Sequence, residues 1–220
     1  MKKIMILSVI LAVVAVLAVS GCAHYGAQKG LPNVEQLKSE KLIRASGNGV
    51  EIAAFPLKEK EDAKRFFGED LLDDGILAVY VEIANSGVAI VELVSCQLQF
   101  SDGSATYPMA AEDVYKILKR EYVGKAFLWW FAMYIGAPIS AIHTYEVNKG
   151  IKKDIGEKLL HSGDISPGSK LRGFVWFRLS KEEIPKNEDL LQGIKLRLIL
   201  RSSREVTVVY SLAFKPSIIE

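Results

Sequence analysis

The chain offers few side chains whose types and spacing could do chemistry: two cysteines, Cys22 and Cys96, three histidines, His24, His143 and His161, and the acidic stretch Glu69, Asp70, Asp73 and Asp74. The histidines form no His-x3-His pair and the cysteines no Cys-x2-Cys pair, so the spacing that metal ligation needs is missing. Calcium loops place acids at alternating positions and end on a bidentate acid, whereas these four acids come as two adjacent pairs. They read as a solvated loop ahead of a strand that begins at Ile76. A glycosidase pair cannot be nominated from acids this common. His161 reads as a solvated cap at a helix end. There is no Gly-x-Ser-x-Gly elbow and no glycine loop that would cradle phosphate. No catalytic, cofactor-binding or metal-ligating residue is therefore assigned, and no cofactor is expected.

Cys22 has a different context. Lys2 and Lys3 precede sixteen uncharged residues, Ile4 to Val19, which together make a secretory signal. Leu17-Ala18-Val19-Ser20-Gly21-Cys22 resembles the lipobox of bacterial lipoproteins, and the resemblance covers the first 22 residues. It implies diacylglyceryl transfer to the Cys22 thiol, cleavage before Cys22, and acylation of the new amino terminus. Acyl chains anchor well because each buried methylene contributes about 0.8 kcal/mol. Ala23, where inner-membrane lipoproteins of enteric type carry Asp, implies the periplasmic side of the outer membrane. The partners expected are thus the membrane, through acyl chains on Cys22, and an envelope protein.

Charge excludes one large class. The chain has 28 Lys plus Arg against 26 Asp plus Glu, and residues 1–21 hold two of the bases and none of the acids. The mature chain is neutral, which is not the electrostatics of a nucleic-acid binder. With Cys22 lipidated, Cys96 has no disulfide partner. It alternates with Val94, Leu98 and Phe100 and reads as a small buried core residue.

These residues need elements to position them. Residues 22–40 read as a tether holding the folded body off the membrane. Strands are expected through Leu42 and Ile43, over Val50 to Phe55, over Ile76 to Ala84 and over Ala89 to Phe100, the last two joined as a hairpin by Asn85-Ser86-Gly87. Glu59 to Phe67 reads as a short helix stopped by Gly68. Later strands follow Ser166-Pro167-Gly168: one alternates through Leu171, Gly173, Val175 and Phe177, and a final hairpin runs from Ile194 to Phe214 across Ser202-Ser203-Arg204.

Between the two strand blocks the spacing turns helical, over Ala110 to about Val123 and again over Asn148 to Leu160 with Ile151, Ile155, Leu159 and Leu160 on the apolar side. Ala126 to Ile142 is uncharged. As a helix it would reach ~26 Å against a hydrocarbon core of about 30 Å. Gly136 and Pro138 interrupt it, and a crossing would put the two strand blocks in different compartments. A bent helical hairpin is expected instead, its first arm Ala126 to about Ile135 and its second including Asn148 to Leu160. Tyr122, Phe127, Trp129, Trp130, Phe131 and Tyr134 form an aromatic cluster there, open to three readings: packing, contact with the membrane, or contact with a partner or ligand.

The strand density predicts a mainly β fold, an immunoglobulin-like antiparallel β-sandwich over residues 41–216 with a helical hairpin inserted at about 110–161, behind a signal peptide at 1–21 and a lipidated tether at 22–40. Gly163 to Gly168 followed by Gly173-Phe174-Val175-Trp176-Phe177 resembles late strands of uncharacterised bacterial lipoprotein sandwiches. The expected function is that of a lipid-anchored envelope protein, a protein-binding or assembly-stabilising module and not an enzyme. The alternatives are an envelope hydrolase and a carrier of an apolar ligand.

Overall fold

The computed structural model describes residues 27–37, 39–119, 136–180 and 193–214. The chain divides into two compact units, Met1–Tyr25 with Lys119–Lys153 and Gly26–Leu118 with Asp154–Glu220. The second unit carries two antiparallel sheets. Its strands are β1 (Ile43–Gly47), β2 (Val50–Pro56), β3 (Ile76–Asn85), β4 (Val91–Gln99), β5 (Ala105–Thr106), β6 (Asp164–Ile165), β7 (Lys170–Arg178), β8 (Lys195–Ser202) and β9 (Thr207–Ala213). One sheet runs β1-β2-β3-β7. The other runs β5-β4-β8-β9, with β6 also paired to β4. Among the described residues the α-helices are α1 (Lys60–Phe67), α2 (Ala111–Leu118) and α3 (Gly136–Lys158), the last two inserted between β5 and β6.

The sheets face each other across one apolar core. Ile52, Leu77, Val79, Val81 and Phe177 from the first sheet meet Leu98, Leu196, Leu198, Leu200 and Leu212 from the second. The fold is thus the expected β-sandwich with a helical insertion. The final hairpin holds as read: β8 and β9 pair from Lys195↔Ala213 to Arg201↔Thr207.

β3 is buried on both faces, which its alternation did not foretell. Ala78, Tyr80 and Glu82 point away from the inter-sheet core and are nonetheless buried. Tyr80 lies against a second core of aromatic rings, and Glu82 lines a cleft with Asn33 and Val34. Phe174 stacks edge-on with Phe67 at 4.9 Å and with Tyr80 at 5.4 Å, and Phe67 meets Trp176 at 5.9 Å. α1 supplies Phe66 and Phe67, and Gly68 ends it in a left-handed turn at φ 71° as the sequence indicated. Among the described residues the buried Trp176 indole N–H has no hydrogen-bond partner.

Four expectations change. The strands β3 and β4 are not a hairpin, since β3 pairs with β2 and β7 while β4 lies in the opposite sheet. A hairpin would have set their apolar faces side by side, whereas an arch sets them against each other across the core. Second, Val94 does not share the Cys96 face. The pairing with β8 jumps between Leu93 and Ser95, so Val94 is the extra residue of a β-bulge and is 50% exposed while Leu93 and Cys96 point inward.

Third, Pro138 does not break its helix, because it sits in the first turn of α3, where a missing amide donor leaves no bond unmade. The helix ends at Lys158, so Leu159 and Leu160 are not on it. Leu159 bridges to Phe174, and the Leu160 amide donates to the Phe174 carbonyl at 2.9 Å. Fourth, the later part of the stretch read as a tether meets the folded body: Pro32, Val34 and Leu37 are buried. No helix among the described residues is long and apolar enough to cross a membrane.

Candidate functional site

Cys22, His24, Trp129, Trp130, Phe131 and Tyr134, with Tyr122 and Phe127, lie outside the described residues, as does the first arm of the expected hairpin. His143 lies within α3. His161 is exposed, past the end of that helix. Cys96 is buried and unpaired, and burial pushes its thiol up to about 12.

The acidic stretch forms the turn between α1 and β3. Lys60 reaches Asp70 at 3.0 Å and Asp73 at 3.7 Å, and Arg178 donates to the Asp74 carbonyl oxygen at 2.9 Å. The Asp74 carboxyl is raised above its ordinary range by partial burial and then by Glu69, Asp73 and Asp70, with Arg178 opposing. Among the described residues no three His, Cys, Asp or Glu side chains converge as a metal site would require.

Two surface clefts bring other residues together. The first, about 410 Å³, lies on the outer face of β1, β2 and β3 and is lined by Asn33, Arg44, Glu51, Glu82 and Lys170 among others. Glu82 is its buried acid. Lys170 binds one carboxylate oxygen at 2.9 Å, and the Tyr80 hydroxyl lies 3.2 Å from the other and 3.1 Å from the Pro32 carbonyl oxygen. Burial, then the charge of Glu82, pushes the Tyr80 phenol far above its usual value, so it acts here as a neutral donor. Sequence reasoning missed Glu82. The available signal was a single charge inside the apolar run of β3, directly opposite Arg172 on β7.

The second cleft, about 380 Å³, opens at one end of the sandwich beside the β1–β2, β3–β4 and β8–β9 turns, with Val50, Val88, Val91, Val206, Val208 and Tyr210 in its wall. Asn85 fixes this end. Its side-chain amide donates to the carbonyls of Ala89 and Ile165, each at 2.8 Å, and its oxygen accepts the Gly87 amide at 3.0 Å. Gly49, at φ 75°, lets the turns close, because a Cβ there would sit 2.7 Å from the Gly87 Cα. Neither cleft is lined by the acidic turn or by His161.

A third cluster is structural. Lys158 is fully buried and donates to the carbonyls of Gln28 at 2.7 Å and Phe66 at 2.5 Å and to the Asp154 carboxylate at 2.7 Å. Gln28 is held twice more: its amide donates to the Arg65 carbonyl at 2.8 Å, and its side-chain oxygen accepts from Arg65 at 3.0 Å.

No protein-family model matches the chain, and no curated protein matches it. Among solved structures it is similar to a DUF4426 family protein from Pseudomonas aeruginosa PAO1, at 7% identity and a TM-score of 0.32, over 82% of this chain and 99% of that one.

Proposed function

We propose that the protein is a bacterial envelope lipoprotein, anchored by acyl chains on Cys22 at the periplasmic side of the outer membrane, whose sandwich binds another envelope protein and does no chemistry of its own. One observation carries the reading: a basic start, an uncharged run and small residues lead without a gap into Cys22. The binding role draws support from how the polar groups of the described clefts are used. Glu82, Lys170 and Asn85 are committed to bonds that hold strands and turns in place, leaving a shaped surface. Trp129, Trp130, Phe131 and Tyr134 are assigned to contact with the bilayer or the partner. A second reading, a carrier of an apolar ligand, draws on the valine-rich wall of the end cleft, whose volume falls in the range of small-molecule sites.

Metabolic labelling with a palmitate analogue tests the anchor. The wild-type chain is expected to take the label and lose its leader, and Cys22→Ser to do neither. Equal labelling of the serine variant overturns the lipoprotein reading.

A further inference from the structure

A sheet edge is a row of unpaired amides and carbonyls, and folded proteins guard such rows with charges, prolines, bulges or a covering segment. Among the described residues, three strands of five or more residues stand at sheet edges. β7 is covered: the Met109 amide donates to the Trp176 carbonyl at 2.7 Å, and the Leu160 amide to that of Phe174. β1 is five residues long and carries Arg44. β9, Thr207-Val208-Val209-Tyr210-Ser211-Leu212-Ala213, carries no charge, no proline and no bulge.

The backbone of β9 points in a determinate direction. Phe214 donates to the Ile194 carbonyl at 3.0 Å and Ser202 to that of Val206 at 2.9 Å, at the two ends of the β8–β9 pairing. Hydrogen-bonded pairs alternate along an antiparallel ladder. Val208, Tyr210 and Leu212 therefore turn their backbone groups toward β8, and Thr207, Val209, Ser211 and Ala213 turn theirs outward. All four of these residues are exposed, and among the described residues none pairs with their outward groups.

We infer that β9 is the interface of a homodimer, in which Thr207–Ala213 pairs antiparallel with the same strand of a second copy and the two five-stranded sheets become one continuous sheet. The strand is complementary to itself. Centred on Tyr210, the pairing sets Thr207 opposite Ala213 and Val209 opposite Ser211 of the second copy, along the whole strand. All four residues are small and uncharged, so the twofold axis brings no like charges together, as it would at a charged edge. The inference does not depend on the lipid anchor.

The test uses the full chain in mild detergent, with the mass of the protein component measured by light scattering. Wild type is expected at twice the monomer mass. Val209→Lys with Ser211→Lys puts lysine opposite lysine and is expected to halve that mass. Val209→Glu with Ser211→Lys puts opposite charges face to face and is expected to restore it. Oxidation gives a reading independent of those variants. Thr207→Cys with Ala213→Cys is expected to form a covalent dimer, while either cysteine alone, ~20 Å from its own copy across the axis, is expected to give only the wild-type background. A monomeric wild type overturns the inference, as does a double-lysine variant that stays dimeric, or a double-cysteine variant that crosslinks no better than the single ones. A hetero-partner on the same edge would show as the first of these.

Discussion

Lys158 and Phe66 are 92 residues apart, and the ammonium of one donates to the carbonyl of the other at the C-terminal end of α1. The same ammonium binds Gln28 and Asp154 and lies 5.1 Å from the centre of the Phe67 ring. One buried cation thus fastens the end of α3, the last turn of α1 and the segment leading into the first sheet. Burial lowers its pKa, and Asp154 opposes that shift.

Lys158→Met keeps the length of the side chain and removes its charge. Two carbonyls and a largely buried carboxylate then lose their donor, and breaking such a set costs about 3–5 kcal/mol. Urea unfolding followed by circular dichroism measures this. A loss below about 1 kcal/mol would show that water replaces the ammonium.

Asn85→Leu should cost about 2–4 kcal/mol, because a group 2% exposed would leave two carbonyls and one amide unsatisfied at the end of the sandwich. Asn85→Asp should be no milder, since it turns acceptor oxygens toward the Ala89 and Ile165 carbonyls. Thermal melts of both variants compare them directly. A mild aspartate variant would mean the arch is held by other contacts.

Cys96 makes stability fall at alkaline pH. Its thiol ionises at an ordinary 9.0 in the unfolded chain and at about 12 when folded, so the folded state holds the proton longer. The contribution is complete below pH 9 and is lost as pH rises through the window from 9 to about 12, with a slope of up to about 1.4 kcal/mol per pH unit. Cys96→Ala should flatten that slope while costing about 1 kcal/mol at pH 7. Native protein should resist alkylation that the denatured chain accepts. Fast labelling of the native thiol would contradict its burial.

Gly173→Ala should cost about 3 kcal/mol or prevent folding, because a Cβ there meets the Leu160 backbone at 2.5 Å, where the chain leaves α3 and joins β7. Gly163→Ala, with open space around it, should change stability by less than about 0.5 kcal/mol. The pair forms an internal control in one denaturation series, and equal effects would count against the close approach.

Local rules read well where they acted alone. The β8–β9 hairpin has one buried face, one polar face and a short turn, so period two was enough. Gly68 marked the end of α1 for the same reason. Errors came where distance decided. A single extra residue at Val94 swaps the faces of β4, and nothing in Val91-Glu92-Leu93-Val94-Ser95-Cys96 marks which valine is extra. The second face of β3 was hidden because what lies against Tyr80, the Phe174 ring and the Pro32 carbonyl, is far from it in sequence. The burial of Lys158 had no local mark, since the carbonyls it binds, of Gln28 and Phe66, are both far away in sequence. The arch after β3 carried turn residues that serve a hairpin equally well. Of the candidate site, the reading of Cys22 rests on contiguous residues alone, while Glu82 needed the register of two strands.

The grip on Gln28 sets a leash length. Six residues, 23–28, separate Cys22 from the carbonyl that Lys158 holds, and a chain extends at most about 3.6 Å per residue, so the reach is ~21 Å whatever path they take. For an anchored protein this makes the folded body a close neighbour of the lipid headgroups rather than a float on a long line. A partner would have to come to the bilayer to be met. Lengthening the leash by inserting residues after Cys22 would change whom the domain can touch without altering any contact within it.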